Sequence, residues 1–125
     1  MKGLIREIFR RNGLAKMDEL YFPDLDINWE ASRRWWYLSE NLPIRDGVQK
    51  ELNKEVGPQH PLWGRKPMVI AKSNTNDDVL VFLKGTQFAV VHLIWHGKID
   101  SQPTKYPSVG SIGDAAALKS YIEGL

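Results

Sequence analysis

The stretch Met68-Val-Ile-Ala-Lys-Ser-Asn-Thr-Asn-Asp-Asp-Val-Leu-Val-Phe-Leu-Lys-Gly-Thr-Gln-Phe-Ala-Val-Val-His-Leu-Ile-Trp95 decides the fold. It holds three runs rich in β-branched and aromatic residues: Met68 to Ala71, Val79 to Leu83, and Phe88 to Trp95. Asn74-Thr75-Asn76-Asp77 and Lys84-Gly85-Thr86, between them, have the composition of hairpin turns. Hairpin turns join antiparallel neighbours, so the stretch predicts an antiparallel meander. In the third run, alternation sets Phe88, Val90, His92, Ile94 and His96 on one face and Ala89, Val91, Leu93 and Trp95 on the other. Both sets are apolar, the pattern of a central strand covered on both sides.

Working outward, residues 97–113 contain Gly97, Pro103, Pro107, Gly110 and Gly113, which predicts a loop with a short edge strand around Tyr106 to Val109. Asp114 or Ser111 can then cap a helix carrying Ala117, Leu118, Tyr121 and Ile122 on one side. On the N-terminal side, Pro58, Pro61, Gly64 and Pro67 mark a turn-rich connector. Before it, Ile44, Val48, Leu52 and Val56 recur every fourth residue behind Pro43 and before Gly57-Pro58, the clearest helix in the chain. Its outer face is expected to pair Asp46 with Lys50 and Glu51 with Lys54. Trp29 to Leu38 reads as a further helix capped by Asn28, Leu14 to Phe22 as a short one, and Leu4, Ile5, Ile8 and Phe9 as the apolar face of a first helix stopped by Asn12-Gly13.

The expected fold class is α+β: N-terminal helices, an antiparallel three- to four-stranded meander, and a C-terminal helix packed on the sheet, with the helices segregated onto one face. One domain is expected over 1–125, its helical part at about 1–57 and its sheet and closing helix at about 66–125.

Composition removes several function classes. The absence of cysteine excludes disulfides, thiolate catalysis and Cys-based zinc sites. The Phe88 to Trp95 run is far shorter than the roughly 20 residues of a membrane span, and the charged N-terminus holds no signal-peptide core, so a cytoplasmic protein without membrane contact is expected. A net charge of +2 is nearly balanced, with Lys2, Arg6, Arg10, Arg11 and Lys16 in one block and Asp18, Glu19, Asp24, Asp26 and Glu30 in the next. This favours a polarised surface over general nucleic-acid affinity. No GxGxxG, GxxxxGK[ST] or GxSxG motif is present, and Ser108 between Pro107 and Val109 is not a nucleophile elbow.

A metal site here could use only His, Asp and Glu. His92 and His96 have HxxxH spacing, but four residues along a strand span roughly 13 Å, too far for both to chelate one ion. No metal, cofactor or catalytic residue is therefore expected. His92 reads first as a buried, hydrogen-bonded imidazole and second as a cleft base beside a carboxylate, while His96, next to Gly97, should meet solvent. The connector His60-Pro61-Leu62-Trp63-Gly64-Arg65 gathers an imidazole, an indole and a guanidinium in a loop stiffened by proline. It reads equally as a binding loop and as a joint whose Trp63 plugs the core. Of the adjacent Trp35 and Trp36, one should be core and the other exposed as an interface anchor.

The connector together with Val91-His92-Leu93-Ile94-Trp95-His96-Gly97-Lys98 resembles a pattern in small bacterial proteins of unknown function, a likeness that spans about half the chain and implies no activity. The functional expectation is a non-enzymatic binding or interaction protein, of the bacterial accessory or immunity-like kind. Its partner would be a protein or a second copy, with His60, Trp63, Arg65, His92, His96 and Trp36 as candidate contacts. The alternative is a small-ligand-binding protein or His-dependent enzyme with a pocket between sheet and helices. Nucleic-acid binding through Lys2, Arg6, Arg10 and Arg11 is a weaker third reading.

Overall fold

A computed structural model of the chain describes residues 13–124. The expected first helix, with its basic residues Lys2, Arg6, Arg10 and Arg11, lies outside them. The described residues form an α+β fold of five antiparallel strands and two helices. The strands are β1 (Trp35–Tyr37), β2 (Met68–Ser73), β3 (Asp78–Leu83), β4 (Gln87–His92) and β5 (Ser108–Gly113), paired in that order across the sheet. The helices are α1 (Leu42–Glu55) and α2 (Ala115–Glu123).

The meander thus has five strands, not three or four. The additional one is β1, inside the segment whose composition suggested a helix from Trp29 to Leu38. Only Trp29–Ala31 turns, as a single 3-10 turn, because the Ser32 hydroxyl then accepts the Arg34 and Trp35 N–H groups, both at 3.2 Å, and diverts them from helical bonding. Trp35-Trp36-Tyr37, three aromatics suited to a pleated surface, pair with Ser73, Lys72 and Ala71. The short helix expected over Leu14 to Phe22 is likewise reduced to a 3-10 turn at Met17–Glu19. The edge strand runs over Ser108–Gly113, later than Tyr106 to Val109.

α1 begins at Asn41, whose Oδ1 accepts the Ile44 N–H at 3.3 Å, with Pro43 in the first turn. Asp114 rather than Ser111 caps α2, accepting the Ala117 N–H at 2.9 Å, and Gly124 closes that helix at φ +74°. The helices lie on opposite faces of the sheet, not on one. Val48, Leu52 and Val56 of α1 bury against Val69, Val79, Val81, Ala89 and Val91. Leu118 and Ile122 of α2 bury against Ile70, Leu80, Phe82 and Phe88. A bulge in β2, where Val69 pairs with Val81 and Ala71 with Leu80, leaves Ile70 as an extra residue and turns it and Ala71 both toward the α2 side. Fully buried Gln49 joins α1 to this strand, accepting the Val69 N–H at 2.7 Å and donating to the Pro67 carbonyl at 2.9 Å. Among the described residues no helix is long and apolar enough to cross a membrane.

Candidate functional site

The apolar run expected to continue to Trp95 stops being a strand at His92, and two glutamates on α1 are the cause. Glu55 turns its carboxylate to the next loop, where Oε1 accepts the Ile94 N–H at 2.8 Å and Oε2 the Trp95 N–H at 2.7 Å. One helical turn earlier, Glu51 Oε2 accepts the Gly97 N–H at 2.9 Å. Amides that would have extended the ladder are taken by these side chains. Trp95 is held at φ +64°, a left-handed conformation that bulky residues rarely adopt, and Gly97 follows at φ +68°. The indole of Trp95 is 45% exposed.

Glu51 and Glu55 are themselves buried, at 7% and 2% exposure, so Glu51 does not belong to the outer face of α1 on which the sequence placed it. The two carboxyl groups share a hydrogen bond. Burial, then that hydrogen bond and the charge of Glu51, push the Glu55 carboxyl up to about 7 against the opposing pull of the Ile94 and Trp95 amides. Two acids that share one proton while binding three backbone N–H groups make a stiff mount for the loop.

Beside this loop, on the α2 side, His92 ends β4. It is not the buried imidazole first expected: its side chain is 54% exposed. Its Nδ1 lies 2.6 Å from Asp78 Oδ1 in the directly paired position of β3. The other Asp78 oxygen takes Arg34 Nη2 at 2.6 Å, and Arg34 Nη1 donates to the Tyr121 hydroxyl of α2 at 3.3 Å. A carboxylate on Nδ1 sets the N–H on that nitrogen, and Nε2 carries no hydrogen bond among the described residues. Ser108 of β5 stands opposite His92 on its other side. An open depression of about 480 Å³ lies between β5 and α2, lined by Val90, Gly110, Ile112, Ala117 and Tyr121, and Tyr121, which accepts from Arg34, links it to the pair.

His96 lies exposed on the loop after Trp95, four residues beyond His92. The structure brings His60 of the connector to the same end of the sheet, since the Pro107 carbonyl it binds precedes Ser108, the partner of His92 on β5. His60 is buried, with Nε2 bonded to the Pro107 carbonyl at 2.7 Å and Nδ1 accepting the Leu62 N–H at 3.0 Å. Both ring nitrogens are used, and burial lowers its pKa although the Pro107 carbonyl opposes this. Trp63 is half-buried against the α1-side core and so close to Gly13 that a Cβ there would sit 2.2 Å from the indole. Arg65 is exposed and away from His92 and His96, and its carbonyl accepts the Lys84 N–H at 2.8 Å. Of the adjacent pair, Trp35 is the buried one and Trp36 is 40% exposed on the edge strand β1.

Sequence reasoning missed Trp95, Glu51, Glu55, Asp78 and Arg34. A signal existed for the glutamates: like charges four apart on a helix repel, and their presence beside Leu52 and Val56 marks a shared task. Among the described residues no group of three or more His, Asp or Glu side chains could hold a metal ion. No protein-family model, curated protein or solved structure matches the chain.

Proposed function

We propose that this is a binding protein without catalytic activity of its own, whose contact surface is the rim from His92 to His96 with Trp95 as its anchor. The observation that carries this reading is the exposed indole at φ +64°, fixed by three backbone bonds to two buried glutamates. An exposed tryptophan in a left-handed conformation gains nothing for the fold, and strain of this kind gathers at sites of use. An aromatic side chain on a stiff loop loses little freedom on binding, which suits a central anchor for a protein partner or a second copy. Trp36 is exposed too, but on an ordinary strand backbone, and it takes a secondary role.

Trp95→Gly tests the reading, because glycine accepts the same backbone angles. The variant should stay folded and lose partner binding at least roughly 30-fold, the size of a strong anchor. Quantitative capture from the native host, with wild type and variant as parallel baits, measures it. A partner retained equally by both would overturn the assignment of the rim.

The His92–Asp78 pair favours a second reading, a small-ligand site or His-dependent chemistry at the depression between β5 and α2. The ring is oriented by Asp78, which Arg34 holds in turn, and its Nε2 has no hydrogen-bond partner among the described residues. A nuclear magnetic resonance screen of small molecules should then shift the His92 ring signals. A library that moves none of them removes this reading.

A further inference from the structure

At the end of the sheet opposite to His92, the β3–β4 turn, Lys66 of the connector and residues 15–21 enclose a half-open cavity of about 320 Å³. Its floor is apolar, made by Met68, Phe82 and Leu83, and the Tyr21 ring stands edge-on to Phe82 at 6.1 Å between centroids. Its rim carries Lys16, Lys66 and Lys84 against the single acid Glu19, three positive charges to one negative. Lys16 leans toward Glu19 at 3.8 Å. Among the described residues neither Lys66 nor Lys84 has an ion pair or a side-chain hydrogen bond.

The backbone arrangement keeps the two unpaired lysines on one rim. The Lys84 N–H donates to the Arg65 carbonyl at 2.8 Å, which ties the β3–β4 turn to the connector one residue before Lys66. Lys66 itself sits at φ +48° and Thr86, across the turn, at φ +58°, both left-handed and both lining the cavity. A lysine occupies a position where glycine would be free of strain, and it puts a cation at the cavity mouth. The volume falls at the lower end of small-molecule sites, which run from roughly 300 to 1,000 Å³ and are mostly apolar with a few polar groups on one side.

We infer that this cavity binds a small amphiphilic carboxylate, with its apolar body on Phe82 and Met68 and its head between Lys66 and Lys84. Charge complementarity selects the head and the apolar floor selects the body, so neither part alone should suffice. The site is separate from the Trp95 rim and stands or falls independently of it.

Calorimetric titration of the full chain with octanoate, octanol and acetate tests the inference. Octanoate should bind at one site at least tenfold more tightly than octanol or acetate. Lys66→Gly and Lys84→Met should each weaken octanoate at least tenfold and leave octanol unchanged. Lys66→Gly removes the backbone strain with the charge, so its melting temperature should not fall below that of wild type, which separates lost binding from lost folding. Octanoate no tighter than octanol, undiminished octanoate binding in both variants, or no binding by wild type would each overturn it.

Discussion

Glu55 and His60 are both buried titratable groups, and they pull stability in opposite directions as pH changes. The Glu55 carboxyl, pushed from 4.5 to about 7 in the fold, takes up a proton on folding between those values. Its contribution is therefore fully present below about pH 4.5 and is lost as pH rises to about 7. His60 has a lowered pKa, so the unfolded chain binds its proton first and stability falls as pH drops below 6.5. Between pH 5 and 6.5 the two oppose each other, and from about 6.5 to 7.5 Glu55 acts alone. The wild-type melting temperature should thus fall across the upper window. In Glu51→Gln, whose introduced amide can accept the Gly97 N–H and donate to Glu55, that fall should shrink and a rise from pH 5 to 6.5 should emerge. In His60→Gln the decline should run through both windows. Thermal scans at half-unit pH steps read all three, and identical profiles would contradict the assignment of the proton. A different residue governs the joint at the connector: Gly13→Ala would drive a methyl into the Trp63 ring and should lower stability by about 1–3 kcal/mol in a urea titration followed by tryptophan fluorescence.

At the scale of elements, β1 carries the sharpest lesson about what the sequence could reveal. The β2 to β4 runs and α1 were legible, because their apolar periodicity and their turn and cap residues agree. β1 was not, since three residues are too few to display a period and Trp29 to Leu38 has no proline or glycine to break a helix. What breaks it is one hydroxyl, Ser32, and that is a tertiary-scale decision only in the sense that β2 then rewards the extended form. Ser32→Ala should leave two amides without their acceptor and cost about 1 kcal/mol, read as a lower urea midpoint. The strand end at His92 was hidden for a similar reason: Leu93-Ile94-Trp95 continues the apolar run, and only the side chains of Glu51 and Glu55, some 40 residues earlier, redirect its amides. The Asp78–His92 pair, by contrast, was within reach, because the β3–β4 turn at Lys84-Gly85-Thr86 sets Leu83 opposite Gln87 and so Asp78 opposite His92.

For the molecule as a whole, one helix of the described residues covers each face of the sheet, and the candidate sites sit at the two ends of the sheet. One end displays Trp95 and the His92–Asp78 pair; the other holds the lysine-rimmed cavity. The sequence pointed to the end of the sheet at His92, where His60 of the connector binds the Pro107 carbonyl beside Ser108. The connector turns inward there through His60 and Trp63, and the C-terminal half of α1 holds the loop. Site-specific photo-crosslinking reads out the Trp95 rim, with a photoreactive phenylalanine analogue placed at position 96, beside an intact Trp95, or, for comparison, at position 36, in the native host. A discrete covalent adduct with one protein is expected from position 96 and little or none from position 36; an adduct from position 36 alone, or none from position 96, would overturn the assignment of the rim.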